Sequence, residues 1–158
     1  MDITTKAGDK GQSQYTGGFF PKSDTKFQFV GTVDELQVSV GGISSPDNKV
    51  KEQLEWIQKK LFDIYSKDVS KEDTEKIESW MKEIKENPKI TFDWNLTTPK
   101  TFNVDNARVV ARRLERVYHS LPEEEKNEET TMFLNRLSDY FWYVGRKIES
   151  VPKDSIEE

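Results

Sequence analysis

An apolar residue recurs every third or fourth position through five stretches of this chain, and the stretch from Val104 to Leu121 constrains the fold most. At about 100° per residue, Val104, Ala107, Ala111, Leu114, Tyr118 and Leu121 line one sector of a helix. Arg108, Arg112 and Glu115 fall in a strip about 60° wide that adjoins that sector instead of opposing it. A solvated face normally points away from the core. Two guanidiniums and a carboxylate at the edge of a packing seam fit two arrangements. One is recognition of a multi-anionic ligand, since the planar fork binds phosphate bidentately. The other is an ion-pair network between helices or subunits.

Four further segments have helical spacing. Phe27 to Val40 carries Phe29, Val33, Leu36 and Val40 and stops at Gly41-Gly42. Lys49 to Lys67 follows the break at Pro46-Asp47-Asn48, and Glu72 to Glu86 ends at Asn87-Pro88. These two read as scaffold. Thr98-Pro99 supplies an N-cap and an N1 proline to start the arginine helix, which runs to Leu121-Pro122. Thr130 to Ser150 is the last helix, with Phe133, Leu134, Leu137, Phe141, Val144 and Ile148 on one face. Asn135, Asp139, Trp142 and Arg146 share another, on which Asn135 and Asp139 are able to orient a nucleotide's hydroxyls, to position a metal through water or to bond a neighbouring helix.

The remaining segments are loops. Thr4 to Gly18 is too rich in glycine and hydroxyls for a helix or central strand. Its Gly8, Gly11, Gly17 and Gly18, with Lys6, Lys10 and Lys22, suit either a phosphate-wrapping loop or a flexible arm, and there is no Walker A pattern. Lys89 to Thr98 holds Phe92 and Trp94, which either cap the core or wall a planar ligand. Asp34 lies beside an apolar stripe and is either exposed and unpaired or buried against a cation, for which the arginine strip is the obvious source. His119 has no second histidine or cysteine to complete a metal site, and Pro152 to Glu158 reads as a loose tail.

At 158 residues the chain suits one domain, 1–158, or one subunit of an oligomer. Its 24 basic and 29 acidic residues give a net charge of −5, against general nucleic-acid or anionic-membrane binding, so an anion site must be local. Zero cysteines exclude disulfides and fit a reducing compartment. No apolar run approaches the ~20 residues of a membrane span, and Met1 to Lys6 lacks a signal-peptide apolar region. The expectation is a soluble, cytoplasmic protein.

Four segments taken together, in order, resemble the PduO-type ATP:cob(I)alamin adenosyltransferases. They are Thr5-Lys6-Ala7-Gly8-Asp9-Lys10-Gly11 with Pro21-Lys22, Gly31-Thr32-Val33-Asp34-Glu35-Leu36, Arg108 to Arg116, and Phe133-Leu134-Asn135-Arg136-Leu137-Ser138-Asp139-Tyr140. The resemblance implies an all-α five-helix bundle over 26–151, preceded by an N-terminal ATP loop over 1–25 and assembled as a homotrimer with ATP between subunits. It also implies that Co(I) of reduced cobalamin attacks the ribose 5′ carbon of ATP, giving adenosylcobalamin and triphosphate. Thr5, Lys6, Gly8, Asp9, Gly11, Ser13 and Lys22 match the triphosphate segment, with Mg2+ held through ATP and not by a protein metal site. Arg112, Glu115, Asn135 and Asp139 match ATP contacts, and Arg108 and Arg112 match catalytic positions. Asp34 and Arg108 match an intersubunit salt bridge, and Phe92 matches a cobalamin-facing phenylalanine. A corrinoid reductase and a B12-dependent acceptor enzyme are the implied protein partners. The alternative is a non-catalytic ATP/cobalamin binder with a sensing or carrier role.

The chain departs from the family pattern at named places. Asp93-Trp94-Asn95-Leu96-Thr97-Thr98 replaces a Leu-Pro and glycines after Phe92, and Phe19-Phe20 stands where arginine is usual before Pro-Lys. Ala7 replaces a threonine, and Gln37 a small polar residue. The first bears on corrin binding and the second on the grip on phosphate.

Overall fold

The structure is a computed structural model that describes residues 4, 6–93 and 96–150. Five helices are present: α1 (Thr25–Gly41), α2 (Asn48–Ser66), α3 (Lys71–Lys85), α4 (Phe102–His119) and α5 (Glu128–Ser150). Two short antiparallel strands, β1 (Gln12–Tyr15) and β2 (Gly18–Pro21), precede them. The predicted loop therefore contains a hairpin. Tyr15 pairs with Gly18 across a two-residue turn, and Gly17 takes a φ of 95° that other residues rarely adopt. Glycine content that argued against a central strand is what the hairpin turn requires.

Helix boundaries follow capping chemistry. Asp24 accepts from the Lys26 amide at 2.9 Å, and Asp47 from Lys49 and Val50 at 2.8 and 3.3 Å. Ser70 and Asp73 form a reciprocal capping box. The arginine helix begins three residues later than Thr98-Pro99 suggested. The amide of Thr98 donates to the buried Thr101 hydroxyl at 3.0 Å and the Thr101 amide to the Thr98 carbonyl at 3.0 Å, so this stretch is spent on a turn. α5 begins earlier than predicted because Asn127 caps it, accepting from the Thr130 amide at 2.9 Å.

α1 and α4 pack antiparallel. Asn103 donates to the Gly42 carbonyl at one end, Asn106 to Ser39 and Arg113 to Glu35 in the middle, and Phe29 meets Tyr118 at 5.7 Å at the other end. α2 joins α1 through reciprocal 3.0 Å bonds, each of Gln37 and Gln58 donating its amide to the other's carbonyl. α3 closes on α5 with Trp80 5.8 Å from Tyr140. The predicted seam Val104, Ala107, Ala111, Leu114, Tyr118 and Leu121 is wholly buried, as is the apolar face of α5. One polar bond crosses this core: the Tyr140 hydroxyl donates to Gln53 Oε1 at 2.9 Å. Burial, then the charge of Asp47, pushes that phenol's pKa up, so it stays a neutral donor. Among the described residues no helix is long and apolar enough to cross a membrane.

Candidate functional site

The polar strips of α4 and α5 meet. Asn135 Nδ2 donates to Glu115 Oε1 at 2.9 Å, and Asn135 Oδ1 accepts from Arg136 at 2.7 Å. Arg136 Nε in turn donates to Glu78 Oε1 of α3 at 2.7 Å. A relay Glu115–Asn135–Arg136–Glu78 thus ties three helices and fixes the carboxylate and amide in one orientation. Glu78 sits on a helix read from sequence as scaffold. No local signal marks it, because its meaning comes from a residue 58 positions away.

Arg112 and Asp139, one turn along α4 and α5 from this relay, stand exposed, and Arg112 makes no ion pair among the described residues. Arg108 is half-buried, with its Nε 3.6 Å from Asp105 Oδ1 and no hydrogen-bond acceptor among the described residues. A buried guanidinium N–H without an acceptor is costly. Asp34 is exposed on α1 and does not pair with Arg108 within the chain. It lines a cleft of about 500 Å³ with Glu35, Val38, Asn106, Val110 and Arg113. The α1–α4 ion pair is made by Glu35 and Arg113, neither singled out from sequence.

Further along α5 the stripe changes character. The ring of Trp142 stacks on Phe92 at 5.8 Å and 26°, while Tyr143 meets Phe92 edge-on at 5.5 Å. Phe92 remains 38% exposed. Asp139, Trp142 and Tyr143 with Arg136, Met81 and Lys85 line a cleft of about 530 Å³ between α5 and α3. Arg146, placed on the polar stripe by sequence, is instead only 4% exposed. It pairs with Glu149 at 2.8 Å and lies 5.8 Å from the Trp142 ring, which offset part of the cost of burying a guanidinium whose Nε has no hydrogen-bond acceptor among the described residues.

The N-terminal residues gather separately. Two successive turns, Lys6 to Asp9 and Gly8 to Gly11, coil the segment, and the Lys22 amide donates to the Gly11 carbonyl at 2.9 Å. The Lys22 ammonium folds onto Gly8 so closely that a Cβ there would lie 2.8 Å from Nζ. Lys6, Gly8, Asp9, Gly11 and Lys22 are thereby brought together, with Ser13 on β1 facing Phe20 across the hairpin. Thr5 and Trp94 lie outside the described residues, as does the 152–158 tail. Burial and the charge of Glu125 raise the Tyr15 phenol's pKa beside the hairpin turn. No ion pair or hydrogen bond among the described residues joins this group to Arg112, Glu115, Asn135 or Asp139. No group of three or more acidic or histidine side chains that would hold a metal occurs among the described residues.

Comparison with known proteins gives this geometry a context. The family model described as cobalamin adenosyltransferase matches residues 3–148. A corrinoid adenosyltransferase of Bacillus subtilis is 30% identical over 95% of this chain and 88% of its own length. The corrinoid adenosyltransferase MMAB of Homo sapiens is 32% identical over 91% and 67%. Two solved Lactobacillus reuteri structures are similar at 29% identity. One is an arginine-to-lysine variant of a PduO-type ATP:co(I)rrinoid adenosyltransferase complexed with ATP, with a TM-score of 0.78 over 95% of this chain and 97% of that one. The other is a phenylalanine-to-histidine variant complexed with cobalamin and ATP, with a TM-score of 0.79 over 96% and 94%. With a match running from residue 3, ahead of the hairpin, to the last turns of α5, the chain belongs to the cobalamin adenosyltransferase family.

Proposed function

We propose that this protein is an ATP:cob(I)alamin adenosyltransferase that works as a homotrimer, with each site shared by two subunits. The observation that carries the reading is the α5 stripe. One end holds Asn135, bonded to Glu115, and Asp139; the other holds Trp142 stacked under Phe92. A polar floor suited to ribose and phosphate thus runs into an aromatic wall suited to a corrin. The hairpin group, which no hydrogen bond or ion pair among the described residues joins to the floor of its own chain, serves the floor of a neighbour. Arg108, half-buried and only loosely paired with Asp105 at 3.6 Å, receives Asp34 across the same boundary.

The chemistry asks little proton transfer of the protein. The lone pair of Co(I) forms the cobalt–carbon bond at the ribose C5′, the C5′–O bond breaks, and its electron pair leaves on triphosphate. Cations and amides placed where that charge grows lower the barrier. Arg112, Lys22 and the amides around Gly8 and Gly11 fill that role, with Lys6, Thr5, Asp9 and Ser13 completing the phosphate segment. Mg2+ would come with ATP and not from a protein site, and would supply further positive charge to the leaving triphosphate. Glu115, Asn135 and Asp139 orient the nucleoside, and Phe92 excludes water and the displaced lower ligand from cobalt. A cytoplasmic setting supplies ATP, a corrinoid reductase and a B12-dependent acceptor.

Anaerobic incubation with ATP, Mg2+ and chemically reduced cobalamin tests this. The expected result is loss of the Co(I) absorbance with stoichiometric triphosphate. Binding of ATP and cobalamin without turnover would mark a carrier or sensor instead.

A further inference from the structure

A two-stranded hairpin alone is marginal in water, and this one has Phe19 58% exposed. One side chain makes most of the side-chain contacts that fasten it to the helices. Lys26, in the first turn of α1, places its ammonium 4.3 Å from the Phe20 ring centroid of β2 and 5.9 Å from that of Tyr15 of β1. The same ammonium pairs at 3.2 Å with Glu125, on the 3-10 turn Glu123–Glu125 that connects α4 to α5. Lys26 is 18% and Glu125 27% exposed, so the pair is shielded in a way surface ion pairs are not. Tyr15 adds an edge contact to Phe27 at 6.0 Å. Lys26 therefore joins both strands, the start of α1 and the connection between the two helices that carry Arg112, Glu115, Asn135 and Asp139.

We infer that Lys26 is a positioning residue for ATP: by clamping Phe20 and Tyr15 to Glu125 it fixes the hairpin, and with it Lys22 and the Gly8–Gly11 turns, before nucleotide arrives. This rests on the reading that the hairpin receives the triphosphate. Preorganising a loop lowers the ordering cost of binding and leaves the chemical step alone. Phe20 thereby has a use that an ATP-contacting arginine in this stretch would not supply: it offers the face that the ammonium needs.

The test combines kinetics and hydrogen exchange. Lys26→Ala should raise KM for ATP about tenfold with kcat held within about twofold, the loss of a cation–π contact and a shielded ion pair. Without ATP, the Ser13–Tyr15 and Phe19–Phe20 amides of this variant should exchange faster than in the wild type while those of α4 and α5 do not. Lys26→Arg should restore both, because guanidinium also stacks and pairs with carboxylate. A wild type that uses ATP while Lys26→Ala keeps its KM overturns the positioning role alone. So does a fall in kcat and thermal stability together without a change in hairpin exchange. A wild type that neither binds nor consumes ATP overturns the phosphate reading and this role with it.

Discussion

The two halves of the proposed ATP site are built by opposite means. The α4–α5 floor rests on a core: Ala107, Ala111, Leu114, Leu134, Leu137 and Tyr140 lie beneath it, fully buried, and the Glu115–Asn135–Arg136–Glu78 relay locks its surface. The hairpin has two four-residue strands, a handful of turns and the Lys26 contact. The difference teaches that binding residues on one site need not share one stability. Helices draw their geometry from the core, while the hairpin depends on a few contacts at its edge, Lys26 chief among them.

Substitutions on the two sides should therefore differ in kind. Leu114→Ala, beneath the floor, removes a fully buried side chain and should cost about 2–5 kcal/mol of folding stability in a urea titration at fixed protein concentration. Phe20→Ala should leave that midpoint within error. Equal losses would break the comparison. Arg112→Ala should weaken ATP binding about 100-fold by calorimetry, the loss of charge-assisted bonds to phosphate, with circular dichroism unchanged. If binding persists and the oligomer dissociates, the arginine is a subunit joint instead. On the hairpin side, Gly8→Ala should push the Lys22 ammonium off its seat and raise KM for ATP about threefold with no change in melting temperature, since the displaced atom ends a flexible chain.

The smallest effect lies away from both regions. Asp47 caps α2 and pairs with Lys147 of α5 at 2.5 Å; burial opposes ionisation there, yet Lys147 and the Val50 and Lys49 amides together hold the carboxyl's pKa below its ordinary value. A carboxylate lowered on folding stabilises above its unfolded pKa, and that contribution is lost as pH falls through the folded one. Asp47→Asn should cost less than about 1 kcal/mol near pH 7, and nothing once the pH is about 2. Urea midpoints at the two values check it.

Periodicity made the helices legible, and their apolar faces were placed correctly because core burial is a local pattern repeated along each segment. Starts were less legible. Thr98-Pro99 offers the chemistry of a cap, but Thr101 lies deeper and takes the boundary, while Asn127 caps α5 from inside an acidic run. The strip Arg108–Arg112–Glu115 could be seen from spacing, and its junction with Asn135 is present in the structure. Glu78, Lys26 and Trp142 acquire meaning through partners far along the chain or across a turn, and no window of sequence holds both halves of such a contact. Arg146 illustrates the converse. Its position on the wheel put it on the polar stripe, and in the structure it is buried against a neighbouring ring and carboxylate.

The Tyr140–Gln53 bond has a consequence for the reaction, although it lies on the buried side of α5. A helix sliding by one residue turns its faces by about 100°, and leucines and phenylalanines tolerate such a rotation better than a hydroxyl that must find one oxygen. The bond thus works as an index mark, setting the rotation at which Asn135 meets Glu115 and Asp139 faces outward beside it. Substrate handling in this protein is in that sense calibrated from within, and a change that never touches ATP can register as an error in aim.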